Sequence, residues 1–148
     1  MTAIASPFHG LATELHMIAT TGDSLTAGTK VAEVSTVGTL ELSANIIEYN
    51  SYGNDYKQKL VGQKDSGTLS LTLNWVAGDT SHQALKAKYD NGGEQLFVIK
   101  WVSSGENATA EFTGYIASYS IDTPVEDVVS ANVEIAIDGA VAFNLVTV

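Results

Sequence analysis

Residues 57–75, KQKLVGQKDSGTLSLTLNW, divide into two unlike halves. Residues 57–67 are polar, carry Lys57, Lys59 and Lys64, and are broken by Gly62 and Gly67, so they read as exposed loop. Residues 68–75 then alternate without a fault. Leu69, Leu71, Leu73 and Trp75 share one side, and Thr68, Ser70, Thr72 and Asn74 share the other. That is a strand with one dry face and one face of small neutral polar groups. A long loop feeding such a strand suits a protein that grips copies of itself and leaves a smooth surface exposed. It suits an enzyme less well.

Working outward, residues 1–10 read as an N-terminal arm with Pro7 and Gly10 as breakers. Strands are predicted over residues 11–20, 31–37 and 40–49. Residues 50–67 form one long loop containing the turn-prone pair Gly53-Asn54, and a connection of that length usually has a function. A helix is predicted over residues 79–91. Asp79 or Thr80 caps it, Thr80 and Gln83 form a T-x-x-Q capping box, and Ala84, Leu85 and Tyr89 supply the buried face. Asn91-Gly92-Gly93 stops it. Strands follow over 95–102, 110–121, 129–138 and, beyond a break at Gly139, 140–148. In the second of these, Phe112 and Ile116 lie opposite Tyr115 and Tyr119. In the third, Val133, Ile135 and Ile137 face in while Asn132, Glu134 and Asp138 face out. The fold class is mainly β, a β-sandwich or curled antiparallel sheet closed by one flanking α-helix. At 148 residues the chain reads as a single domain with room for a core.

Charge narrows the function. Seventeen acids face seven bases, every base is lysine, and no lysine follows Lys100. Without arginine, bidentate reading of guanine or phosphate is missing. The plain reading of so acidic a surface is solubility; the sharper one is a surface that repels nucleic acid. The chain has no cysteine, which excludes disulfides and thiolate metal sites. No basic leader or long apolar run marks a signal peptide or membrane span.

Catalytic and cofactor chemistry has no clear seat. His9, His16 and His82 fall in separate elements at no metal-ligand spacing, and His82 in the first helical turn reads as exposed. No P-loop, no G-x-S-x-G and no nucleophile–base pair stands out. The expectation is no catalytic residue, no metal and no cofactor.

The order of segments resembles the major tail tube proteins of tailed bacteriophages, of the long-tailed, non-contractile siphophage type. The residues that carry the likeness are 46–49, then LVGQKDSG at 60–67, then the alternating strand ending Leu73-Asn74-Trp75. The helix, the strand at 95–101, Glu111-Phe112-Thr113-Gly114-Tyr115-Ile116 and Ile137-Asp138-Gly139 follow in order, so the likeness spans residues 31–140. The resemblance implies a β-sandwich with a flanking helix, the fold that type VI secretion tube proteins share. It implies hexameric rings stacked into a hollow tube through which the genome passes, and a location in the virion tail after assembly in the host cytoplasm. The partners it implies are other copies of the chain, a tape measure, a tail terminator and baseplate or tail-tip proteins. DNA passes without specific binding, and no membrane is involved.

On that reading, Tyr49, Tyr52, Tyr56, Lys57, Lys59, Leu60, Lys64 and Asp65 are candidates for contact between subunits, and residues 50–67 become the inter-subunit loop. Thr68, Ser70, Thr72, Asn132 and Glu134 are candidates for the lumen, although an outer solvent face carries the same pattern. Two readings compete. One is another ring-forming component of the same fold, such as a terminator, a hub or a type VI tube. The other is a carbohydrate-binding β-sandwich with Trp75 and Trp101 as stacking platforms, against which both tryptophans sit on apolar strand faces suited to core packing.

Overall fold

The computed structural model describes residues 13–18, 29–103 and 106–147. In chain order the elements are β1 (Thr13–Ile18), β2 (Thr29–Lys30), β3 (Val34–Val37), β4 (Ser43–Tyr49), β5 (Gln58–Asp65), β6 (Thr68–Asn74), α1 (Thr80–Asn91), β7 (Gln95–Ser103), β8 (Glu106–Asp122) and β9 (Ser130–Thr147). Seven strands form one antiparallel sheet in the order β2-β1-β7-β8-β9-β6-β3, and β4 and β5 form a separate hairpin.

The alternation of β6 becomes burial. Leu69, Leu71 and Leu73 are buried, while Thr68 and Ser70 are exposed. β9 answers in register: Leu69 lies opposite Ile135 and Leu71 opposite Val133, both buried. Phe97 and Phe112 stack on the same side with centroids 5.7 Å apart. Each such side chain contributes about 1.5–3 kcal/mol by leaving water.

The sheet curls because the segment joining β2 to β3 touches both of its ends. Val31 N–H donates to Leu15 O of β1 (2.9 Å), and Asn74 N–H at the end of β6 donates to Glu33 O (2.8 Å). Glu33 makes the bend with a φ of 57°. The predicted strand over 31–37 therefore starts only at Val34, after a turn at residues 32–33 that follows β2.

α1 covers the core, with Leu85 fully buried. Its first turn is fastened to that same bend. Ala32 N–H donates to Ser81 Oγ (3.1 Å), and Ala32 O lies 2.7 Å from His82 Nε2. His82 Nδ1 accepts from Val76 N–H (3.0 Å), so the ring is neutral with its proton on Nε2, donating to Ala32. The expected exposed His82 is thus a buried polar bracket, only 2% exposed. Asp79 is the cap: its carboxylate accepts from the N–H groups of Ser81 and His82 and from the Ser81 hydroxyl. The Thr80–Gln83 box does not form; Gln83 donates to Ala77 O instead (3.0 Å). Tyr89, expected to be buried, is exposed.

Three further expectations are corrected. Residues 58–65 are the strand β5, so the loop of the hairpin is only residues 50–57. Residues 130–147 are one strand, because Gly139 sits inside β9 with a φ of 79° where the register with β8 shifts. A second register shift, between Ile116 and Ser118, reverses the alternation of β8, so Tyr119 pairs with Val133 and packs on the core side instead of sharing a face with Tyr115.

Two outcomes test this account. His82→Leu leaves Val76 N–H and Ala32 O without partners and costs about 1–3 kcal/mol for each group, read as a lowered midpoint in urea. For Asp79, the Ser81 hydroxyl first, then the backbone N–H groups, hold the carboxyl below its ordinary value. A depressed pKa contributes stability that is full above the ordinary carboxyl value and is lost as pH falls through the lower, folded value. Acid titration of helicity should show that loss, and Asp79→Asn should remove its pH dependence.

Candidate assembly surface

The sheet face turned away from the core carries all five lumen candidates. Register places Thr68 opposite Ala136, Ser70 opposite Glu134 and Thr72 opposite Asn132. Thr72 Oγ1 donates to Asn132 Oδ1 (3.0 Å), which ties the two rows together. β8 extends this surface, with Ser118 opposite Glu134 and Ser120 opposite Asn132. Ser118 and Ser120 were missed in the sequence because the shift after Ile116 breaks simple alternation.

This surface is small-grained and electronegative. β6, β8 and β9 contain no lysine. The Tyr115 phenol is pushed above its ordinary value by the charge of Glu94, then by burial, then by the charge of Asp138. Positive groups lie toward the opposite end of the sheet. There Lys30 donates to Glu14 (2.9 Å), and His16 lies 3.1 Å from the same carboxylate. Lys30 first, then His16, hold the Glu14 carboxyl below its ordinary value.

The inter-subunit candidates gather on the β4–β5 hairpin. Tyr49 closes β4 opposite Gln58; Lys59, Leu60, Lys64 and Asp65 belong to β5; Tyr52, Tyr56 and Lys57 lie in the connecting loop. Every residue of β4 is exposed. Ile46, Ile47, Leu60 and Val61 are each about half exposed, so apolar groups face water on a two-stranded ribbon. A ribbon of this kind is marginal alone and gains from a partner. Lys57 and Lys59 lie 3.7 and 3.8 Å from Glu48, loose exposed pairs that fix little.

The base of the hairpin is firm. Ser66 is buried and donates to Gly139 O (2.7 Å), the carbonyl offered by the irregularity in β9. Ile137 N–H donates to Gly67 O (3.1 Å), and Gly67 N–H to Asp65 Oδ1 (3.0 Å). Gly67 turns the chain into β6 with a φ of 67°, where a β-carbon would be strained.

Trp101 packs against the core, whereas Trp75 is 36% exposed just beyond the end of β6. Among the described residues, no three His, Asp or Glu side chains gather to hold a metal. The N-terminal arm and His9 lie outside the described residues.

Several solved assemblies share this fold. The SPP1 tail tube subunit superposes with a TM-score of 0.70 at 15% identity, covering 93% of this chain and 79% of that one. A sheath/tube terminator of the extracellular contractile injection system PVC gives 0.73 at 17% identity, covering 96% and 99%. A chain from the tail of an empty GTA particle gives 0.68 at 15% identity, covering 92% and 98%. The curled antiparallel sheet with its one helix is thus a fold found among the subunits of these assemblies. The chain belongs to the family described as lambda phage tail tube protein, TTP, whose family model matches residues 16–144. It is a structural component of the virion tail. No curated protein matches the chain.

Ser66→Ala should free the hairpin base at a cost of about 1 kcal/mol. Faster amide exchange across residues 58–65, with the β6–β9 amides unchanged, would register it. Gly67→Val should do the same more strongly.

Proposed function

We propose that copies of this chain close into hexameric rings, that the rings stack into the tube of a long non-contractile tail, and that the genome leaves through the bore. The observation that carries the reading is the lysine-free polar surface of β6, β8 and β9. A bore lined this way offers phosphates no cation to rest on, so a polyanion slides without binding.

An exposed ribbon supports ring closure. β2 and β3 end the seven-stranded order but are joined by residues 31–33, so the sheet edges meet within one copy, and β4, exposed throughout, is the strand surface that a neighbouring copy can cover. A ribbon-to-body joint of this kind is heterologous and closes only at a fixed number of copies. The hairpin then bridges to another subunit through Tyr52, Tyr56 and its lysines. A tape measure, a terminator and tail-tip proteins complete such a tail. The role is structural, with no catalytic step.

A second reading, a ring-forming terminator, draws on the likeness to the PVC terminator fold. Negative-stain electron microscopy of the purified chain separates the two: long tubes support the first, isolated rings the second, and a monomer at every concentration and ionic strength overturns both. Glu134→Lys should leave tubes intact yet lower DNA delivery roughly tenfold, since one cation per subunit multiplies around the bore. Undiminished infectivity would move Glu134 out of the lumen. Replacing residues 51–57 with Asn-Gly should keep the hairpin and the soluble subunit but stop tube growth.

A further inference from the structure

We propose that Asn91 and Gly92, at the stop of α1, form a self-processing site. There the Asn91 side chain loses ammonia and leaves aspartate or isoaspartate in the chain, and the last turn of α1 gates the reaction. The chemistry needs no second copy, so it stands apart from the tube reading above.

Sequence singles out the position. Asparagine precedes Ile46, Ser51, Asp55, Trp75, Ala108, Val133 and Leu145, and it precedes glycine only at 91–92. The reaction is an attack by the following backbone nitrogen on the side-chain carbonyl carbon. A β-carbon on the following residue crowds that approach, and Gly92 has none.

Geometry prepares one partner and restrains the other. Asn91 is the last residue of α1 and is exposed, so water and hydroxide reach it. Its Oδ1 accepts from Gly93 N–H (2.9 Å). That donor polarises the carbonyl and favours the negative charge that gathers on Oδ1 as Cγ becomes tetrahedral. Gly92 follows with φ 66° and ψ 20°, and its N–H donates to Lys88 O (3.0 Å). This bond holds the proton that the nitrogen has to lose. The helical backbone angles at Asn91 also keep the nitrogen from closing a ring on its own side chain. The closed turn thus offers an activated carbonyl and withholds the nucleophile. Helix ends fray, and opening this one turn releases the Gly92 nitrogen.

In the open turn hydroxide takes the Gly92 amide proton. The nitrogen attacks Asn91 Cγ, the Cγ–Nδ2 bond breaks, and Nδ2 leaves as ammonia with a proton from water. A succinimide ring results. Water then adds to either ring carbonyl, giving aspartate or, with the main chain rerouted through Cγ, isoaspartate. The sum is one water consumed and one ammonia released, with no change of oxidation state. Either product sets a new negative charge beside Asp90, at the helix end where the backbone dipole disfavours it. Isoaspartate also lengthens the main chain by one methylene, so the bond from Gly92 N–H to Lys88 O loses its geometry. The product therefore keeps open the turn that admitted the reaction.

Peptide mapping of the full chain held at mildly alkaline pH tests the site. Asn91 should show the mass gain of deamidation ahead of every other asparagine, faster as pH rises. An isoaspartyl methyltransferase should label the same peptide, and Asn91→Gln should abolish both signals. The folded chain should convert about tenfold more slowly than the chain in urea, as expected for a turn open about one-tenth of the time. An Asn91 that stays intact in the folded chain while the chain in urea converts, or that converts no faster than Asn54, overturns the site. Equal rates in buffer and urea overturn the gate. Asn91→Asp should speed amide exchange at Gly92 with the Leu85 amide unchanged; unaltered exchange at Gly92 refutes the effect on the turn.

Discussion

The pairing of β6 with β9 is the constraint on which the molecule depends. Leu69 and Leu71 meet Ile135 and Val133 on one face, while Ser70 and Thr72 meet Glu134 and Asn132 on the other. A slip of one residue would turn Glu134 into the core and the leucines into water. The penalty comes from both faces at once, so the register is held tightly. The same register that closes the core therefore draws the polar surface, and the candidate bore inherits its composition from a packing decision.

From that pair the rest follows by attachment. β8 lies along β9 and carries the polar rows further. The bend at residues 31–33 links β1 to the end of β6 and curls the sheet. α1 is then clipped to Ala32 by Ser81 and His82 and drops Leu85 into the interior. Both backbone groups of Ala32 are satisfied by helix side chains, which removes two buried orphans at the place where the curl closes. Family membership supplies the biological setting, a phage tail tube, and the geometry supplies reasons why this chain suits it.

Much of the fold was legible because its signals are local contrasts. β6 and β9 alternate between dry and wet residues, β7 is a short apolar run buried on both faces at Phe97, Val98 and Ile99, and α1 carries a capping aspartate and a glycine stop. What escaped lacks such contrast. β5 is polar or exposed on both faces, so no period of two marks it as a strand. Its partner β4 is exposed throughout and looks half-buried only by composition. His82 looked like a surface residue because the backbone groups that enclose it come from Ala32 and Val76, one of them fifty positions away. Tyr119 changed faces through a register shift that no residue type announces. The polar rows of β6 and β9 were legible from alternation, and Ser118 and Ser120 were not, for that same reason.

The hairpin leaves the body at the Gly67 end of β6, while the other end of that strand carries the half-exposed side chains of Trp75 and Ile121. The two extremities of the subunit therefore differ in chemistry, and any filament that repeats this body in one orientation acquires a direction. A molecule that recognises one terminus of such a filament meets a surface that the other terminus does not offer.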